Sequence, residues 1–92
     1  MTMDYEETKR YLLLVESALN KIFLAKRIRD GRMRPKAIRE AKIDAQNMVR
    51  PHRAELIEIC QMENIGDELF DWGHLEGDLE DVYEKLKELC NK

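Results

Sequence analysis

Apolar residues in the first third of the chain recur at helical spacing. Leu12, Val15, Leu19 and Ile22 are separated by three, four and three positions, and Tyr11, Ala18, Ala25 and Ile28 widen the stripe to a face broad enough for a bundle core. A long first helix is predicted. Asp4 with Glu7 three positions later has the pattern of a capping box, which places the start of this helix near Tyr5. Leu13, Leu14, Phe23 and Leu24 fall partly outside the stripe. This surplus predicts contact on two faces, inside the monomer or across a dimer. Gly31 suits the left-handed conformation that closes a helix, and Pro35 suits the first turn of the next one.

From Pro35 to Val49 the apolar positions are lighter, and Ala37, Ile38, Ala41, Ala45, Met48 and Val49 predict a helix that approaches its neighbours closely. Pro51 has no N–H to donate and restricts Arg50, so a break or sharp kink is expected there. Leu56, Ile57, Ile59, Cys60 and Met62 carry the helical pattern on toward Asn64, where Asn64 and Asp67 have the spacing of a second reciprocal cap. The clearest period follows. Trp72, Leu75, Leu79, Val82, Leu86 and Leu89 repeat by three, four, three, four and three, a seam of the coiled-coil kind. Residues 1–92 are therefore expected to form one all-α domain, an antiparallel helical bundle of three to four helices with a long N-terminal helix and a middle helix broken or kinked at Pro51.

Composition adds one constraint. A 92-residue chain buries roughly 60 to 65% of the surface of its extended form, so its core is modest and support from a partner is plausible on size alone. Charge changes the picture more. The formal net charge of -3 conceals a division, because residues 1–53 hold 13 Lys and Arg against 7 Asp and Glu, whereas residues 54–92 hold 3 against 12. The two parts carry about +6 and -9. Within the first, residues 21–42 gather Lys21, Lys26, Arg27, Arg29, Arg32, Arg34, Lys36, Arg39 and Lys42 against Asp30 and Glu40. A helical hairpin centred on Gly31 would collect these cations at one tip, suited to nucleic-acid phosphates or to an acidic protein surface. Lys26, Arg27, Arg29, Arg32, Arg34, Lys36 and Arg39 are accordingly the candidate partner-binding or nucleic-acid-binding residues. The acidic counterpart, from Glu55 to Glu84, contains no Lys or Arg. It can pair with the chain's own basic end or attract a basic partner.

Chemistry is sparse by comparison. Glu55 and Glu58 share a helical side, and Glu63 and Asp67 do so on the next stretch, an oxygen-rich set of the kind that holds Mg²⁺. The run Asn64-Ile65-Gly66-Asp67-Glu68-Leu69-Phe70 loosely resembles the second acidic motif of the all-helical nucleoside triphosphate pyrophosphohydrolases, with Asn64 where that family has a glutamate and a shorter gap between the two motifs. That resemblance implies a Mg²⁺-dependent release of pyrophosphate from a nucleotide. His52 and His74 lie outside any HExxH pattern, Cys60 and Cys90 make no CxxC motif, and no glycine-rich phosphate loop is present, so neither a cofactor nor a catalytic residue is expected. The longest apolar run in the first helix, Tyr11 to Val15, is far short of a bilayer span, and no membrane partner is expected. The chain begins with acidic residues, without the basic and apolar regions of a secretory signal, which leaves a cytoplasmic location with both cysteines reduced as the expectation.

These features favour a small protein-interaction module, an adaptor or a regulator or inhibitor, over an enzyme. Its expected partner is a second copy in a homodimer or another protein, engaged by apolar anchors at Phe23, Trp72, Leu75, Leu79 and Val82. Nucleic-acid binding by the 21–42 tip is the first alternative, and the Mg²⁺-dependent pyrophosphohydrolase activity the second.

Overall fold

The computed structural model describes residues 5–62 and 68–91 of the chain. Its elements in order are α1 (Tyr5–Lys26), α2 (Arg34–Val49), a 3₁₀ turn (Arg50–His52), α3 (Arg53–Cys60), a second 3₁₀ turn (Trp72–His74) and α4 (Leu75–Cys90). Together they make an all-α, three-helix bundle in which α2 and α3 are pieces of one divided middle helix. The Asp4 half of the first expected cap, and the Asn64 and Asp67 cap, lie outside the described residues.

The buried face of α1 runs along Thr8, Val15, Ala18, Ile22 and Ala25. Leu12 and Leu19, which head the sequence stripe, are only half-buried, so the face is centred nearer the alanines than the leucines. The reason lies in the packing. Helix α1 sits against both α2 and α4, and alanines at its centre let two backbones approach where leucines would hold them apart. Around it gather Ala45 and Val49 of α2, Leu56 and Cys60 of α3, and Leu75, Leu79, Val82 and Leu86 of α4.

Helix α1 ends at Lys26, five residues before Gly31. Arg27 and Ile28 donate their N–H groups to the carbonyls of Leu24 and Ala25 at 3.1 and 3.3 Å, a tightening to three-residue bonds that unwinds the last turn. Gly31 does not take up the left-handed conformation expected of it. Asp30 organises the connection instead. Its carboxylate accepts the N–H of Arg32 at 2.9 Å, and its carbonyl accepts those of Met33 and Arg34 at 3.2 and 3.0 Å. Such side-chain and main-chain acceptance is what makes Asp a turn former, and it delivers the chain into α2 with Pro35 in the first turn.

The break at Pro51 is present, and the 3₁₀ turn Arg50–His52 makes it, joining two helices through a bend. Helix α3 then stops at Cys60, short of the extension toward Asn64 that its apolar pattern suggests. Gln61 adopts a left-handed conformation (φ 55°, ψ 45°). Its N–H reaches the Glu58 carbonyl at 3.3 Å and that of Met62 reaches Ile57 at 3.0 Å, which is a Schellman closure. Met62 and Ile57 both pack on the core, the apolar contact that accompanies this motif.

The connection from α3 to α4 supplies two of the largest buried side chains, Leu69 and Phe70. Phe70 has a φ of 69°, an uncommon conformation for a bulky residue, and both of its main-chain groups are tied. Its N–H donates to Asp78 Oδ2 and its carbonyl accepts from Gln46 Nε2, each at 2.9 Å.

Candidate functional site

The basic end is built by the last turn of α1, the Asp30 connection and the first turns of α2. Lys26, Arg27, Arg29, Arg32, Arg34, Lys36 and Arg39 are all exposed there. Two of the seven are already engaged. Lys26 forms an ion pair with Glu76 at the start of α4, and the Arg27 guanidinium lies 5.8 Å from the centre of the Phe23 ring. The other five, Arg29, Arg32, Arg34, Lys36 and Arg39, have no ion-pair partner among the described residues. Lys36 and Arg39 are three apart on α2 and share its outward face.

Among the described residues, the acidic half is ion-paired with this end only where α4 begins, at Glu76. Helix α4 places Glu80, Asp81, Glu84 and Glu88 on its exposed side, and it runs antiparallel to α1 from the Lys26–Glu76 pair toward the opposite end of the molecule. Of the possibilities weighed for the acidic half, pairing with the chain's own cations is realised at Lys26 alone among these candidates. An ion pair this exposed contributes little, about 0 to 1 kcal/mol.

Five apolar anchors were expected at an interface. Leu75, Leu79 and Val82 are in the chain's own core, with exposures of 1%, 0% and 0%. This corrects the expectation that these three are surface anchors, because the middle of the α4 seam is buried in the chain's own core. Phe23 and Trp72 differ, being 59% and 43% exposed. The helix starts only at Leu75, so Trp72 leaves the seam and its ring instead receives the Lys42 ammonium, 4.7 Å from its centre. Leu89, at the other end of the seam, is also exposed.

Further apolar surface lies along α1. Leu13 and Leu24, 53% and 63% exposed, are eleven residues apart and therefore on one outward stripe, with Ser17 and Asn20 between them and Phe23 beside Leu24. Met33 adds a third large apolar group near the basic end. Leu13, Phe23 and Leu24 are three of the four residues left over from the sequence stripe, whereas the fourth, Leu14, is half-buried and packs on the core. Met33 carried no such signal.

The carboxylates considered for Mg²⁺ do not converge in the part of the chain that is described. Glu63 and Asp67 lie outside it. Glu55 accepts a hydrogen bond from the Tyr11 hydroxyl and lies 3.6 Å from His52 Nδ1, with the Tyr11 and His52 rings edge to face at 5.5 Å. Among the described residues no group of three or more His, Cys, Asp or Glu side chains is placed to hold a metal ion. The hydrogen bond to Glu55, then partial burial and the charges of Glu55 and Glu7, push the Tyr11 hydroxyl up to about 12. It stays protonated and acts as a tie between α1 and the divided middle helix. Sequence reading had assigned Tyr11 only to the apolar stripe.

Cys60 and His74 are each shifted by their surroundings. Cys60 and Cys90 are free thiols, and burial raises Cys60 to about 11 against a weaker opposite pull from Lys85. A thiol so placed is not a nucleophile near neutral pH. His74 gives a hydrogen bond from Nδ1 to Asp78 Oδ2 at 2.5 Å. That bond raises its pKa above the usual 6.5, with support from the charges of Asp78, Asp71 and Glu68. No helix among the described residues is long and apolar enough to cross a membrane.

The chain was compared with family models, with curated proteins and with solved structures, and it matches none of them.

Proposed function

We propose that this protein is a small helical interaction module, an adaptor or regulator that works by docking on another protein and carries out no chemistry of its own. One observation supports the reading above the others. The outward stripe of α1 exposes Leu13 and Leu24, with Phe23 alongside, on a helix whose opposite face already fills the core. Large apolar groups on a rigid helix give affinity by leaving water, and the separated charges at the two ends give orientation. Free thiols at Cys60 and Cys90 are consistent with work in a reducing compartment, the cytoplasm.

Native mass spectrometry of the protein isolated from its source tests this. A complex with one protein partner is expected, and Leu13→Glu with Leu24→Glu should abolish it while helix content and melting temperature stay unchanged. A homodimer sensitive to the same pair would make the partner a second copy. A monodisperse monomer, or a complex indifferent to both substitutions, would overturn the reading.

A further inference from the structure

The end of the hairpin formed by α1 and α2 carries a second surface that the docking stripe does not use. Arg29, Arg32, Arg34, Lys36 and Arg39 stand exposed within eleven residues, without an ion-pair partner among the described residues. The nearby acid Asp30, itself exposed, is engaged by the turn's own backbone, its carboxylate accepting the Arg32 N–H and its carbonyl the N–H groups of Met33 and Arg34. The backbone carrying these cations is therefore held in a fixed turn, which lowers the ordering needed when they meet an anion. Four of the five are arginines. Their planar forks match phosphate oxygens in pairs, which ammonium groups do not.

We propose that this end binds the phosphate backbone of double-stranded nucleic acid without reading its sequence. A duplex is favoured over a single strand because residues 29–39, which carry the five cations, include no aromatic side chain on which an unpaired base could stack. The overall charge of -3 does not prevent the contact. Helix α4 begins at this end with Glu76 on Lys26, but its exposed acids Glu80, Asp81, Glu84 and Glu88 run away from it, Glu88 about 18 Å beyond Glu76 along the helix and so roughly two screening lengths of about 8 to 10 Å at moderate salt.

The test is fluorescence anisotropy with a labelled DNA duplex of about two helical turns, titrated with the full chain between about 50 and 200 mM salt. Log affinity should fall with log salt at a slope of about -4 to -5 if all five cations reach phosphates. Arg32→Glu with Arg34→Glu should weaken binding at low salt by about tenfold or more and reduce the slope by about two. Lys9→Glu, exposed near the other end of α1, should change neither. The Leu13→Glu and Leu24→Glu variant should bind the duplex normally, which separates failure here from failure of the protein-docking reading. Circular dichroism establishes that each variant is folded. No anisotropy change at low salt, an equal loss from Lys9→Glu, or tighter binding to one strand of the duplex alone would overturn the proposal. So would binding to phosphatidylserine vesicles without binding to the duplex.

Discussion

Asp78 shows how a single polar residue organises an apolar neighbourhood. It is 7% exposed, and its carboxylate accepts from the Phe70 N–H and from His74 Nδ1. Without it a buried N–H would lose its partner, a penalty of about 1 to 3 kcal/mol, and the strained Phe70 backbone would lose one of its two ties. His74 makes this arrangement sensitive to pH. Its pKa is raised in the folded state by the bond to Asp78, so the stability it contributes is fully present below about 6.5 and is lost as pH rises through the higher folded value. In urea unfolding, the wild type should exceed His74→Gln by more at mildly acid pH than at mildly alkaline pH. An advantage independent of pH would refute the coupling.

At the scale of elements, α4 combines the most regular buried face with an exposed weakness. Gly77 is the third residue of α4, and a Cβ added there would meet nothing within 4 Å. Nothing in its surroundings requires glycine, and glycine costs up to about 1 kcal/mol relative to alanine in a helix, less in the first turn. Gly77→Ala should therefore stabilise the protein by about 0.5 kcal/mol, visible as a higher denaturant midpoint with an unchanged slope. A destabilised variant would mean that α4 needs close approach on its outward side. Gly73, four residues earlier, likewise has nothing within 4 Å of an added Cβ.

For the whole molecule the governing feature is that its charges are kept apart. Lys26 and Glu76 tie the end of α1 to the start of α4, but the remaining tip cations face one another more than they face acids. Net repulsion within the tip should then outweigh attraction between exposed pairs, so added salt should raise the melting temperature by screening it. A thermal melt over a salt series decides this, and a melting temperature that falls with salt would show that attractions between the halves dominate. The same separation is what leaves the tip available to phosphates and the α1 stripe available to a protein.

Helix number, the long first helix and the break at Pro51 were legible in the residues, because a 3.6-residue period and a missing N–H act locally. Charge division was legible for the same reason, since a count needs no geometry. Which apolar residues form the core was decided only by packing. Within the single regular period of α4, Leu75, Leu79, Val82 and Leu86 are buried while Trp72 and Leu89 at its two ends stay in solvent, and in α1 the stripe residues Leu12 and Leu19 are less buried than Ala18. The tertiary structure likewise turned Tyr11 toward Glu55, 44 positions away, and placed Leu69 and Phe70 in the core from a connection without helical period. Sequence thus determined which surfaces this protein could make. Burial, which depends on elements meeting across long separations, determined which of them stay exposed.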